Sequence, residues 1–163
     1  MSKSLFTPKK VMSKIRGINI LMADDDEDDR YFFKKALEKL SISTNLVTVE
    51  DGEELIDYLT KDKGKIPDIL FLDINMPRKN GYESLIEIKS NKDIRDFPII
   101  MYSTSLRDSM ADTLFQNGAH YYLRKGDSKD LEKHLEQILT LLVENNLKRP
   151  VREEFFLNEM RII

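Results

Sequence analysis

At 163 residues the chain has room for one ordinary domain with a short appendage, and is long enough to bury a real core. It has no cysteine, which excludes disulfides and thiolate metal sites. The net charge of −3 conceals a division: +5 on residues 1–17 and +1 on residues 145–163 leave −9 on residues 18–144. An acidic body argues against nucleic acid as its main partner and suits a site that gathers metal cations. No apolar stretch approaches the roughly 18 residues of a membrane helix, and residues 1–17 lack the apolar core of a secretory signal. The expectation is a cytoplasmic protein with neither membrane nor nucleic acid as a partner.

Residues 1–17 read as a basic flexible tail, and a second Met-Ser-Lys at Met12 allows a start there. From Ile18 to Ala23, INILMA is a strand that runs into Asp24, Asp25 and Asp26. The acids from Asp26 to Asp29 suit a helix N-terminus, where side-chain caps and the helix dipole favour negative charge. Phe33, Ala36, Leu37 and Leu40 then give that helix an apolar face. Residues 45–49 form a second strand, and Asp51-Gly52 opens a helix bearing Leu55, Ile56 and Leu59. After a loop over 61–67 come strand 69–72, helix 82–90, strand 98–102, a helix over 106–117 stopped by Gly118, strand 119–123 and a long helix over 127–144. Strands alternating with helices imply a doubly wound α/β fold, flavodoxin-like, with a five-stranded parallel sheet in the order 2-1-3-4-5. The division is tail 1–17, domain 18–144 and extension 145–163, whose Phe155, Phe156 and Leu157 pack back on the domain or meet a partner.

The stretch LFLDINMPRKNG, Leu70 to Gly81, organises the rest. A buried parallel strand ending at Leu72 delivers the Asp73 carboxylate to the carboxyl edge of the sheet, where ligands bind in such folds. The same edge receives Asp24 to Asp26, Ser103 to Ser105 and Lys125. Carboxylates converging from two strands repel unless a cation or a shared proton intervenes. Mg²⁺ suits Asp25 and Asp73 with a backbone carbonyl just past Asp73, while Asp26 to Asp29 read as helix-start acids. Lys125 would face the cluster as a point charge for a phosphoryl group, and a hydroxyl at the end of strand four would donate to one.

These residues together resemble the receiver domain of two-component response regulators, over roughly residues 18–142 and without an attached effector domain. The resemblance rests on Asp24-Asp25 after strand one, Asp73 before Ile74-Asn75-Met76-Pro77 with Gly81 behind, a hydroxyl residue ending strand four, and Lys125 after strand five. It implies that Asp73 accepts a phosphoryl group from a sensor histidine kinase or a phosphotransfer protein. Asp25, Asp73 and the Asn75 carbonyl would hold Mg²⁺, with Asp24 assisting, and Lys125 would contact the phosphoryl group. Ser103, or Thr104 on a slip of one residue, would be the switch hydroxyl, and Tyr122 the switch aromatic. Asn75 and Ser105 would tune the phosphoryl lifetime. The product would be an altered face for a downstream protein target, in a monomer or weak homodimer that catalyses only its own phosphorylation and dephosphorylation.

One departure is Gly126, where receivers usually carry a cis proline. A cis bond to a non-proline residue costs about 2.5–4 kcal/mol, so a trans Lys125–Gly126 bond is expected and the reach of Lys125 becomes a question. Three rivals remain. A haloacid-dehalogenase-like phosphatase needs an acid where this chain has Asn75. A nucleotide-binding module needs a glycine-rich turn where it has DDDEDD. A degenerate receiver would act through its surface, without phosphoryl chemistry.

Overall fold

The computed structural model describes residues 17–61, 66–104 and 107–157. The basic tail before Gly17, Ser105, Leu106 and the last apolar residues Met160, Ile162 and Ile163 therefore lie outside the described residues. The chain runs β1 (Ile18–Ala23), α1 (Glu27–Glu38), β2 (Thr44–Val49), α2 (Gly52–Lys61), β3 (Ile69–Leu72), α3 (Gly81–Ser90), β4 (Ile99–Ser103), α4 (Asp108–Gln116), β5 (Tyr121–Arg124), α5 (Ser128–Val143) and a 3₁₀ turn at Arg152–Glu154. All four strand pairings are parallel, and the sheet order is the expected β2-β1-β3-β4-β5.

Strand alternation divides the core into two layers. Leu21, Ala23, Leu70, Leu72, Ile99 and Met101 face α2, α3 and α4. Ile20, Met22, Ile69, Phe71 and Ile100 face α1 and α5, where Phe33 meets Phe71 edge-on with ring centroids 4.9 Å apart. The central strand β3 is buried at every position, which is why its sequence is a continuous apolar run.

Local chemistry sets the element ends. Asp26 caps α1 by accepting from the amides of Asp28 (2.9 Å) and Asp29 (3.1 Å), and Asn80 and Glu83 form a capping box at α3. The fifth strand starts two residues later than its composition suggests. Gly118 takes a φ of 101° and the amides of Gly118 and Ala119 return to the carbonyls of Phe115 and Leu114, so these residues close α4 before β5 begins.

Beyond α5 the chain folds back along the outer edge of β5. The Tyr122 amide donates to the Phe155 carbonyl at 2.9 Å, and Tyr122 and Phe156 form a parallel bridge. Phe155 enters the layer of α2–α4 and Leu157 the layer of α1 and α5, so the arm packs on both faces of the sheet around the edge of β5. Arg149 stacks 4.1 Å above the Phe115 ring, and Arg152 pairs with Asp112 at 2.6 Å. The arm covers an edge that would otherwise expose unpaired backbone groups.

Phe155 is fully buried and Val151 is 60% exposed. Phe155→Ala is therefore expected to lower unfolding free energy by about 3–5 kcal/mol, and Val151→Ala to stay within about 0.5 kcal/mol of wild type. Urea denaturation of the two variants checks the difference; equal midpoints would mean that the arm contributes nothing to the core.

Candidate functional site

Backbone bonds carry the sheet ladder one residue past several strands. The Asp24 amide donates to the Val49 carbonyl (3.0 Å), the Asp73 amide to Ala23 (2.9 Å) and the Lys125 amide to Ser103 (2.9 Å). Three functional side chains thus start from fixed backbone at the carboxyl edge. Gly81 closes the site from below: a Cβ there would lie 2.1 Å from the Asp73 carbonyl oxygen, and its amide donates to Ile74 at 2.8 Å. The loop between them is held on its other side by Arg78, which has a φ of 64° and donates from Nε to Asp51 at 2.9 Å, with Nη2 on the same carboxylate oxygen.

Asp24, Asp25 and Asp73 each place a carboxylate oxygen within 4.8 Å of the others. Asp24 and Asp73 are buried, at 0% and 5% exposure, whereas Asp25 faces solvent. The Asn75 amide donates to Asp73 Oδ1 at 3.4 Å. Lys125 Nζ lies 2.6 Å from Asp24, 2.9 Å from Asp29 and 3.4 Å from Asp73, and 5.4 Å from the centre of the Tyr102 ring. The Lys125–Gly126 peptide is trans, as expected, and the ammonium nevertheless reaches Asp73.

Ser103 is the buried last residue of β4 and Thr104 is exposed, which gives Ser103 the place beside Asp73. Its Oγ has no hydrogen-bond partner and faces the Asp73 carboxylate outside bonding geometry, close enough to favour the ionised acid. Tyr122 is buried, and its hydroxyl donates to the Ser103 carbonyl at 3.0 Å.

Asp29 stands in the first turn of α1, as the sequence reading has it, and makes a second contact that the reading did not include. Its carboxylate is a hydrogen-bond partner of Lys125. The available signal was its spacing: Asp29, Phe33 and Ala36 follow the i, i+4, i+7 stripe whose later members are buried. The Arg78–Asp51 clamp had no comparable signal, because it joins residues 27 positions apart through a left-handed turn.

Burial pushes Asp24 up to about 6, against the pull of Lys125 and the Asp26 amide and with the help of the Asp73 charge. Burial raises Asp73 as well, with Lys125 opposing. Desolvation draws Lys125 downward, but its pairing with Asp24 and Asp29 and the charge of Asp73 outweigh this and hold it above its ordinary value. One ammonium thus serves more carboxylates than it can neutralise. Two buried acids with raised proton affinity and one exposed acid, all oxygen donors, fit a hard divalent cation that keeps much of its water.

A sequence model described as the response regulator receiver domain matches residues 20–136, and the chain belongs to this family. Receiver domains are phosphoryl acceptors in two-component signalling; histidine kinases phosphorylate them, and they act on downstream targets. Among its relatives, Protein PilG of Pseudomonas aeruginosa is 32% identical over 116 residues, covering 70% of this chain and 81% of PilG. Response regulator Rcp1 of Synechocystis is 28% identical over 130 residues, covering 77% of this chain and 88% of Rcp1. The Mn²⁺-bound form of Rcp1 superposes with a TM-score of 0.69 at 27% identity, over 82% of this chain and 99% of that one. The phosphorylated cyanobacterial phytochrome response regulator RcpA gives a TM-score of 0.70 at 26% identity, over 78% and 95%.

The raised Asp24 sets a pH window. Its folded value of about 6 exceeds the ordinary 3.8, so the metal-free fold binds more protons here than the unfolded chain, and this group's contribution to stability falls as pH rises from 3.8 to 6. A divalent cation must displace that proton. Mg²⁺ affinity measured by calorimetry is expected to be constant above about pH 7 and to weaken by up to about tenfold per unit below pH 6. Equal affinity at pH 5 and pH 7.5 would contradict the assignment of Asp24 to the cluster.

Proposed function

We propose that Asp73 is the phosphoacceptor of this receiver, taking a phosphoryl group from a phosphohistidine of a sensor kinase or phosphotransfer protein in the presence of Mg²⁺. The observation that carries the reading is the buried Asp73 carboxylate at the sheet edge, 3.4 Å from the Lys125 ammonium and within 4.8 Å of Asp24 and Asp25. Asp73 attacks phosphorus; the new bond is P–O, the P–N bond to the donor imidazole breaks, and the imidazole leaves with its electron pair and takes up a proton. The transfer is loose and in line, so positioning and positive charge do most of the work.

Asp25, Asp73 and the Asn75 carbonyl would hold Mg²⁺, with Asp24 beside them, and the ion would neutralise phosphoryl oxygens. Lys125 supplies the fixed positive charge on the same side. Ser103, buried without a partner, has a hydroxyl free to donate to the new phosphoryl oxygens. Moving it would disturb the Ser103 carbonyl, which already accepts from Tyr122 and Lys125. Tyr122 would then carry the change to β5 and to α4 and α5 beside it, the face offered to a downstream protein. The protein acts as a cytoplasmic signalling phosphoacceptor, and its catalysis is confined to its own phosphorylation and dephosphorylation. Asn75 cannot protonate a leaving group, which weighs against a phosphatase.

Incubation with acetyl phosphate and Mg²⁺ is expected to add one phosphoryl mass to wild type and none to Asp73→Asn, read by intact-mass spectrometry. Absence of the adduct in wild type, with Mg²⁺ bound, would overturn the phosphoacceptor reading. Modification of Asp73→Asn to the same extent would overturn the choice of residue.

A further inference from the structure

We propose that Asp29 is a positioning residue for phosphoryl transfer: it anchors the Lys125 ammonium at the mouth of the site and aims it at Asp73. The inference rests on the phosphoacceptor reading above and names a residue outside the acidic cluster that would hold the metal.

Three observations converge on Asp29. Its carboxylate accepts a hydrogen bond from Lys125 Nζ at 2.9 Å, whereas the 2.6 Å approach to Asp24 Oδ2 is an ion pair outside hydrogen-bond geometry. Its position is rigid, because its amide is held by the Asp26 cap at 3.1 Å and the neighbouring Arg30 guanidinium donates to the Asp24 carbonyl at 2.8 Å. Its carboxylate is not a member of the set formed by Asp24, Asp25 and Asp73, whose oxygens all lie within 4.8 Å of one another.

The need for such an anchor arises from the length of the Lys125 side chain. β5 ends at Arg124, and Gly126 has no atom within 4 Å of where a Cβ would stand, so the residue after Lys125 offers no side chain to pack against it. A lysine side chain has four rotatable carbons and loses substantial entropy when held. The Lys125 side chain is nevertheless only 8% exposed. The backbone is fixed at the Lys125 amide, which donates to Ser103 at 2.9 Å, so what remains to be held is the far end of the side chain. Asp29 does this from α1 while remaining 31% exposed, so water can assist when the ammonium turns from one anion to another. Once Asp73 carries a phosphoryl group, Lys125 can bridge that group and Asp29 without leaving its place.

The test has two independent readouts. The first needs no phosphoryl chemistry: the rate of reductive methylation at Lys125, followed by peptide mass spectrometry, is expected to rise at least threefold in Asp29→Ala and to return toward wild type in Asp29→Glu. The second is the rate of phosphorylation by acetyl phosphate at saturating Mg²⁺. It is expected to fall about three- to tenfold in Asp29→Ala, with the calorimetric Mg²⁺ Kd within twofold of wild type. In a Lys125→Ala background the same substitution should cost nothing further. Thermal melts identify any variant that fails to fold, and Asp29→Asn then serves as the milder replacement. Unchanged methylation would overturn the anchor, as would an equal loss of rate with and without Lys125. A tenfold loss of Mg²⁺ affinity would make Asp29 a metal ligand and also overturn it. If wild type took up no phosphoryl group, the function proposed for Asp73 would fail, while the methylation rates would still report whether Asp29 holds Lys125.

Discussion

The structure depends on a crowding of negative charge that the fold imposes and does not relieve. Parallel strands end together, so acids placed after β1 and β3 meet at one edge, with Asp24 and Asp73 buried there. Lys125 arrives from the end of the edge strand β5 and touches both. Charges this close in a partly desolvated place are poorly screened. The result, with burial as the larger cause, is that Asp24 and Asp73 hold protons more tightly than usual, so the site gains from an added cation.

That constraint explains why the surrounding loops are so firmly tied. Gly81 lets the start of α3 press against the Asp73 backbone, and the Arg78–Asp51 pair fastens the loop between them to the top of β2. Arg30 ties α1 to the Asp24 carbonyl and reaches Glu50 at 3.2 Å. The Arg78–Asp51 and Arg30–Glu50 pairs join the loops of different strands, so the edge behaves as one assembled rim. Repelling carboxylates would otherwise pull apart the loops that carry them.

Most of the fold was legible because its signals are local. The apolar run at Ile69–Leu72 could only be a fully buried strand in this context, and the stripe of Leu131, Leu135, Ile138 and Leu139 could only be a core-facing helix. Asp73, Lys125, Ser103 and the Asp24–Asp25 pair were legible because each sits directly at or after such a strand. Element ends were less so: Ala119 looks like strand but its amide caps α4. Asp29 is the first-turn acid it was read as, but its contact with Lys125 was not legible, because it depends on a lysine 96 residues away. The Arg78–Asp51 pair was invisible for the same reason, since nothing about either residue's neighbours announces the other.

Gly126 shows how an apparent defect can be absorbed by contacts elsewhere. The reach of a lysine is set by where its backbone starts and where its ammonium is bound, so the residue after it matters only through those two ends. Here the start is fixed at Lys125 itself, whose amide N–H donates to the Ser103 carbonyl, and the far end lies among three carboxylates and the Tyr102 ring. The residue at position 126 is then free to vary. The Ser103 carbonyl carries a heavier duty, because it accepts from both Lys125 and Tyr122, and the Tyr122 amide in turn binds the arm at Phe155. A shift of Ser103 along β4 cannot leave all three contacts intact. The end of β4 is therefore the place where a change at Asp73 meets mechanical resistance, and where it must be passed on to β5 and the arm.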